Sequence, residues 1–137
     1  MRRYLLDTAP LAAYLHNRPW AVQRVHPWIR DQEAATSILV YAEIVEYLRG
    51  KPEYDRRHAQ LRVLLQEVYP YFLTYAIVER YADLRRQLRP PRGAGLIGDV
   101  DTLIAATALE HDLTVVTADS DFQRVPGLTV LLLPRNT

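Results

Sequence analysis

Short apolar segments, separated by stretches of helical length, run through the whole sequence. Most connections between the segments are too long for hairpins, and crossovers of this kind join strands that lie parallel in one sheet. The pattern therefore predicts an α/β fold with a central, mainly parallel sheet of about five short strands. The strands are predicted at 3–6, 34–37, 71–74, 113–117 and 128–133.

Apolar residues spaced three and four apart predict helices in the intervening stretches. Gly50 ends the third helix, and Pro70 is expected to end the fourth helix before the strand at 71–74. Prolines and glycines between 90 and 98 predict an irregular loop. The helices are predicted at 9–15, 20–30, 38–49, 53–68, 76–88 and 99–111.

Length and composition indicate an ordinary globular protein. At 137 residues with 49% apolar and 24% charged residues, the chain is expected to form one domain over 1–137. No stretch approaches the roughly 20 apolar residues of a membrane span. The first residues lack the apolar run of a signal peptide, and the sequence contains no cysteine. A cytoplasmic location without membrane attachment is therefore expected.

Acidic residues follow or accompany the apolar segments. Asp7 follows the first predicted strand and Asp119 follows the fourth, while Glu43 and Asp101 lie on helices beside strands. In open parallel sheets, ligands bind outside the carboxyl ends of the strands. Crowded carboxylates must bind protons or a cation to relieve their repulsion. The arrangement predicts one shared site for a divalent cation.

Each of these acids also has a structural interpretation. Asp7 could cap the first helix, and Asp119 with Asp121 could cap a turn. Asp101 could lie in the first turn of its helix, where the helix dipole stabilises a negative charge. Glu43 could simply face solvent. Capping alone does not explain why acids recur at the same edge of the sheet, so a shared site is the favoured interpretation.

Segments in chain order resemble the PIN domain family, and the resemblance covers nearly the whole chain. The segments are 4–8 (YLLDT), 36–44 (TSILVYAEI), 97–106 (IGDVDTLIAA) and 116–122 (VTADSDF). The small size suggests the VapC-type toxins of toxin–antitoxin pairs. The resemblance implies a three-layer α/β/α sandwich. It further implies a Mg²⁺- or Mn²⁺-dependent endoribonuclease that hydrolyses RNA phosphodiester bonds to leave a 5′-phosphate and a 3′-hydroxyl.

The resemblance also assigns roles to residues of this chain. It implies catalytic, metal-binding carboxylates at Asp7, Glu43, Asp101 and Asp119. Asp99 and Asp121 are further candidate ligands, and Thr8 and Ser37 are polar supports. Many relatives carry Asn or Ser where this chain has Ala9. Asp99 lies two residues before Asp101, so the choice between these two as the principal ligand stays open. The oxygen-only donor set favours hard cations such as Mg²⁺ or Mn²⁺.

Arginines supply almost all of the positive charge, since Lys51 is the only lysine. Arginine makes planar, bidentate contacts with phosphate, and arginines close to an acidic pocket suit single-stranded or looped RNA, such as tRNA, rRNA or mRNA. The alternative is a solvated helix face paired with Glu79 and Asp83. The candidate RNA-binding residues are Arg85, Arg86, Arg89 and Arg92.

Toxins of this family usually bind a cognate antitoxin protein and form homodimers, so both partners are expected here. Aromatic residues on the early helices could form the groove for the antitoxin or a dimer patch, or they could belong to the core. They are Trp20, Trp28, Tyr41, Tyr47 and Tyr54. The competing functional hypothesis is a catalytically inactive PIN domain that binds RNA or protein in a regulatory role.

A literal G-x-G-x-x-G at 93–98 raises the possibility of dinucleotide binding. That fingerprint must directly follow a strand, but the residues before it include Pro90 and Pro91, which a central strand excludes. Asp99 and Asp101 would also repel a pyrophosphate from the start of the next helix. Dinucleotide binding is therefore disfavoured.

Overall fold

All five strands of the computed structural model, which describes residues 1–134, are parallel members of one sheet. The strand order is β3-β2-β1-β4-β5. The strands are β1 (Tyr4–Leu6), β2 (Ala34–Ser37), β3 (Tyr69–Tyr71), β4 (Thr114–Thr117) and β5 (Val130–Leu132). The predicted parallel α/β architecture is confirmed.

Six α-helices connect the strands. Helices α1 to α4 contact one another, and α5 packs against α6, so helices form the two layers around the sheet. A 3-10 helix at Ser120–Arg124 lies between β4 and β5. The helices are α1 (Thr8–Leu15), α2 (Pro19–Arg30), α3 (Ile38–Arg49), α4 (Tyr54–Leu64), α5 (Tyr75–Leu88) and α6 (Asp99–His111).

The central strands form the core because their short apolar runs are covered on both faces. Leu5 and Leu6 of β1 and Val115 and Val116 of β4 are fully buried. Buried continuous runs of this kind are typical of parallel sheets under two helical layers. Leu6 pairs with Val116, so the residues that follow these two strands leave the sheet side by side.

The sheet has a topological switch point between β1 and β4. The chain first extends the sheet from β1 through β2 to β3, and it then returns to add β4 and β5 on the other side of β1. Ligands of open α/β sheets bind in the crevice at such a point, outside the carboxyl ends of the strands. Asp7 directly follows β1 at this crevice.

The third strand lies earlier than predicted, at Tyr69–Tyr71 instead of 71–74. Pro70 was expected to precede the strand but lies within it. An edge strand tolerates proline, because one side of its backbone needs no hydrogen bond from the sheet. Thr74 instead caps α5, where its hydroxyl accepts a hydrogen bond from the backbone N–H of Ile77 (3.3 Å).

Other predicted boundaries differ by smaller amounts. The helix predicted at 53–68 ends at Leu64, because the chain turns there and buries Val68 before entering β3. The last strand is confined to Val130–Leu132, within the predicted 128–133. The glycine-rich segment at 93–98 follows the helix α5 and not a strand, which agrees with the rejection of a dinucleotide fingerprint. Within residues 1–134, no helix is both long and apolar enough to cross a bilayer.

Candidate active site at the sheet switch point

Asp7 is a buried carboxylate at the switch point, with only 7% of its surface exposed. It occupies the N-cap position of α1, but its side chain makes no capping hydrogen bond. One of its oxygens, Oδ2, instead accepts a hydrogen bond from the hydroxyl of Thr117 (2.7 Å). Burial raises the pKa of Asp7, and the nearby Glu43 and Asp119 raise it further, although hydrogen bonds from Thr117 and the Thr8 backbone oppose the shift. The capping interpretation of Asp7 therefore holds for its position at the start of α1 but not for its side chain.

Thr117 ends β4 and joins two of the acidic residues. Its fully buried hydroxyl donates to Asp7 and accepts a hydrogen bond from the backbone N–H of Asp119 (3.0 Å). Sequence reasoning did not single out Thr117. The signal was its position, since a threonine that closes an apolar strand two residues before Asp119 lies at the same sheet edge as Asp7.

Glu43 lies in the second turn of α3 and faces the start of α1. Its Oε1 accepts a short hydrogen bond from the Thr8 hydroxyl. Helices α1 and α3 pack against each other, and this packing brings Glu43 of α3 close to Thr8 at the start of α1. Glu43 is therefore not a freely solvated residue of the helix surface.

Asp101 lies in the first turn of α6 and is only partly exposed. The pKa of Asp101 is raised to about 6, chiefly by burial and then by the negative charges of Asp7, Asp119, Glu43 and Asp121. Burial and neighbouring negative charges both disfavour the charged form of a carboxylate, so it keeps its proton to a higher pH. Asp101 is the residue at which the repulsion of the whole cluster is most evident.

Asp119 begins the 3-10 helix, and its Oδ1 accepts a hydrogen bond from the backbone N–H of Asp121 (2.9 Å). The predicted capping role is therefore confirmed for Asp119. The same residue also lies in the acidic cluster, since its charge raises the pKa of both Asp7 and Asp101. Capping and membership of the cluster are compatible, because a carboxylate has two oxygens.

One open cavity of about 710 Å³ contains these carboxylates. Asp7, Glu43, Asp101 and Asp119 line it together with Thr8. The side chains of His16, Arg18, Trp20, Glu46 and Tyr47 also line it, and sequence reasoning did not connect any of them with the acids. The convergence of the four carboxylates on one edge, predicted from their positions after strands and on adjoining helices, is present.

Asp99 and Asp121 lie outside the lining of this cavity. Asp99 is 68% exposed, forms an ion pair with Arg85 (3.1 Å) and accepts a hydrogen bond from the Tyr81 hydroxyl (3.1 Å). Asp121 pairs with Arg124 (3.4 Å). Of the two acids that the sequence left open, Asp101 and not Asp99 lines the cavity.

Ser37 supports the site indirectly. It is fully buried at the junction of β2 and α3, and its Oγ accepts a hydrogen bond from the backbone N–H of Leu39 (3.1 Å). This N-cap fixes the start of α3, the helix that carries Glu43. Ser37 does not line the cavity, whereas Thr8 does.

A second cavity, of about 520 Å³, lies at the end of α5 and is lined by arginines and prolines. Arg86, Arg89 and Arg92 line it with Pro90 and Pro91, and Arg85 does not. Arg85 is instead committed to Asp99, two residues from Asp101. The structure therefore divides the arginines into one that borders the start of α6 and three that share a separate basic surface.

The chemistry of the acidic cavity suits a hard divalent cation. All four converging acids offer oxygen donors, and the raised pKa values of Asp7 and Asp101 reflect their burial and the negative charges around them. Among residues 1–134, however, no three His, Cys, Asp or Glu side chains lie close enough together to form a ready-made ligand shell. Mg²⁺ commonly binds through one or two carboxylates and keeps several waters, so the donor set fits such a cation.

Comparisons with known proteins agree with this architecture. The sequence model of the family described as PIN domain matches residues 4–128. A ribonuclease VapC1 from Haemophilus influenzae (strain R2866) is 27% identical over 131 residues, which cover 91% of this chain and 93% of that relative.

Solved structures share the fold. A DNA-bound VapBC from Salmonella typhimurium superposes with a TM-score of 0.83 at 20% identity and covers 96% of this chain and 98% of its own. A toxin–antitoxin complex from Klebsiella pneumoniae gives a TM-score of 0.72 at 24% identity, over 93% of this chain and 95% of its own. Both are three-dimensional matches over nearly the whole length.

Proposed function

Because the chain belongs to the PIN domain family, we propose that it is a metal-dependent endoribonuclease, the toxin of a type II toxin–antitoxin system. The observation that carries the proposal is the single cavity lined by Asp7, Glu43, Asp101 and Asp119 at the switch point of the sheet. The ribonuclease VapC1 named above, which matches almost end to end, supports the same activity.

Asp7, Glu43, Asp101 and Asp119 would together hold Mg²⁺ or Mn²⁺, one or two of them by direct contact and the others through the waters of the cation. The bound cation would supply Lewis acidity at the phosphodiester and neutralise the charge that develops during hydrolysis. Thr117 orients Asp7 by donating a hydrogen bond to its Oδ2. Thr8 holds Glu43 in the same way.

The substrate that fits this proposal is single-stranded or looped RNA. The three arginines of the second cavity, Arg86, Arg89 and Arg92, would bind backbone phosphates away from the cut. Arg85 would act differently, because its guanidinium already neutralises Asp99 beside the acidic cavity. Asp99 and Asp121 would influence the site only through their charge.

A protein antitoxin is the second partner that the proposal requires. The neighbour from Klebsiella pneumoniae is described as a toxin–antitoxin complex, and this supports an antitoxin partner for the present chain. We extend the proposal to a homodimer and to a cytoplasmic location, where RNA substrates and the antitoxin are made. The domain proposed for these activities is 1–137.

The decisive experiment is cleavage of a mixed RNA pool by the wild type with Mn²⁺, the wild type with EDTA, and Asp7→Asn with Mn²⁺. Cleavage by the wild type with Mn²⁺ alone is expected. Cleavage that survives both chelation and the substitution would overturn the metal mechanism. Binding of RNA without cleavage in any condition would instead establish the alternative, a catalytically inactive regulatory PIN domain.

A further inference from the structure

Two aromatic residues, Trp20 and Tyr47, line the acidic cavity together with its carboxylates, and this pair is called its aromatic end. Trp20 lies in the first turn of α2, and Tyr47 lies one turn after Glu43 on α3. Helix α1 packs against both α2 and α3, so these aromatic side chains come from the two helices that flank α1. The same open space therefore touches the acids and the two aromatic side chains.

The other aromatic residues of the early helices do not line this cavity. The Trp28 ring stacks on Tyr4, with 4.1 Å between the ring centroids, and Tyr54 stacks on His58 at 5.2 Å. Tyr47, in contrast, is 59% exposed. Of the aromatic residues noted in the sequence, Trp20 and Tyr47 line the acidic cavity, and Trp20 also packs against the core.

Positive charge accompanies the aromatic end. Arg18 lines the cavity just before α2, and the Lys51 ammonium lies 4.7 Å from the centroid of the Tyr47 ring. Glu46 is the one acid that lines the cavity on the same turn of α3 as Tyr47. Aromatic rings beside cations are the usual elements of surfaces that bind single-stranded nucleic acid, where rings stack on bases and cations contact phosphates.

The spacing suits a nucleotide close to the cut. An α-helix rises 1.5 Å per residue, so Tyr47 lies about 6 Å along α3 from Glu43. Stacked bases repeat at about 3.4 Å, so the backbone positions of Glu43 and Tyr47 differ by about two base steps along α3. A base in this position would belong to the same strand as the phosphate at the carboxylates.

We propose that Trp20 and Tyr47 form a stacking platform for an unpaired base of the RNA substrate, about two nucleotides from the scissile phosphate. This inference rests on the proposed ribonuclease function and deepens it, because it makes unpaired RNA the substrate class. Arg18 and Lys51 contact the adjoining phosphates. A segment of a protein partner is the competing occupant of the same surface.

Binding without turnover tests the platform, so every variant carries Asp7→Asn. The probes are a fluorescent 12-nucleotide oligoadenylate and an oligonucleotide of the same length and charge whose central positions are abasic. Stacking contributes about 1–3 kcal/mol per base, so Trp20→Ala and Tyr47→Ala are each expected to weaken oligoadenylate binding by at least about fivefold. Binding of the abasic probe is expected to stay within about twofold, since no base is available to stack.

Tyr75→Ala is the matched control, because Tyr75 is 90% exposed and does not line the cavity. It should bind both probes as the Asp7→Asn protein does. Tyr47→Ala carries the test if Trp20→Ala does not fold, since an exposed ring is less needed for packing. Equal losses for both probes, or no loss for either, would overturn the platform, and the second result would leave a protein segment as the occupant. The outcome is independent of the proposed ribonuclease activity, because the test measures binding and not cleavage. A chain that never cleaves RNA can still bind through the platform, and an active ribonuclease can lack it.

Discussion

The hydroxyl of Thr117 donates a 2.7 Å hydrogen bond to Oδ2 of Asp7, although the two residues are 110 positions apart in the chain. The bond joins the carboxyl ends of β1 and β4, the two strands at the switch point. The same hydroxyl accepts a hydrogen bond from the Asp119 backbone. Thr117 thus fixes the relative position of two carboxylates of the proposed site.

Replacing Thr117 by valine should lower RNA cleavage by about 10- to 100-fold, the usual cost of removing a group that orients a metal ligand. Valine has nearly the same shape, so the main loss is the hydroxyl. Thr117→Ser should restore most of the activity because it keeps the donor. The measurements are the cleavage rate and the Mn²⁺ concentration for half-maximal rate. Equal rates for Thr117→Val and wild type would show that Asp7 needs no such orientation.

The two acids at the start of α6 should respond differently to the same substitution. Asp101→Asn should abolish metal-dependent cleavage, because Asp101 lines the acidic cavity. Asp99→Asn should keep activity within about threefold, because its side chain is solvent-exposed and surface ion pairs contribute little. The measurement is the cleavage rate at saturating Mn²⁺. The reverse result would make Asp99 the principal ligand.

Divalent metal should stabilise the folded protein. A ligand that binds only the native state adds RT ln(1 + [L]/Kd), which is about 2.7 kcal/mol when the metal is at 100 times its Kd. Millimolar Mn²⁺ should therefore raise the melting temperature of the wild type and of Asp99→Asn, but hardly that of Asp101→Asn. A melting curve of the wild type that ignores Mn²⁺ would contradict an intact site.

Without metal, the contribution of Asp101 to the stability of the protein should fall as the pH rises through the range from about 4 to 6. The pKa of Asp101 is raised from 3.8 to about 6, so between these values the folded protein holds a proton that the unfolded chain has released. Stability decreases with pH wherever the folded state binds more protons. The raised pKa of Asp7 acts in the same direction.

Asp101→Asn isolates this contribution from all other titrating groups. In EDTA, the substitution should increase the melting temperature relative to wild type at pH 7.5, and the gain should disappear near pH 4. Asp99→Asn is the matched control, because it makes the same substitution at a residue that does not line the acidic cavity. A wild type that is more stable than Asp101→Asn at pH 7.5 in EDTA would contradict the repulsion among the carboxylates.

The arginines of the second cavity should make RNA binding depend more strongly on salt concentration. Each phosphate contact to a single strand contributes about 0.7 to the slope of log K against log salt. Replacing Arg86, Arg89 and Arg92 together by alanine should therefore reduce the slope by up to about 2. Arg30→Ala is a suitable control, because Arg30 pairs with Asp31 at the end of α2. An unchanged slope would exclude this surface from the RNA path.

Much of the fold could be predicted because its signals are local. Apolar runs such as that ending in Leu6, and helix signals such as Gly50, predicted all five strands and six helices in the right order. The third strand was misplaced because the tolerance of Pro70 depends on which strand lies at the edge of the sheet. That order is set by long-range pairing, which no local pattern contains.

The acidic residues of the site were predicted for a similar reason, since residues after parallel strands share an edge. The choice of Asp101 over Asp99 required the rotation of α6, which turns one side chain to the cavity and the other to Arg85. Thr117 was missed, and Tyr47 was not connected with the acids, because both relationships depend on contacts between helices and strands far apart in the sequence.

The order of the strands also affects how the protein is made. The crevice at the switch point needs β4, which the ribosome synthesises more than a hundred residues after Asp7. A nascent chain that has emerged only as far as α5 lacks Asp101, Thr117 and Asp119. Of the four acids that line the cavity, it contains only Asp7 and Glu43. Translation must therefore be nearly finished before the proposed catalytic site can form, so a partially synthesised chain is expected to be inactive.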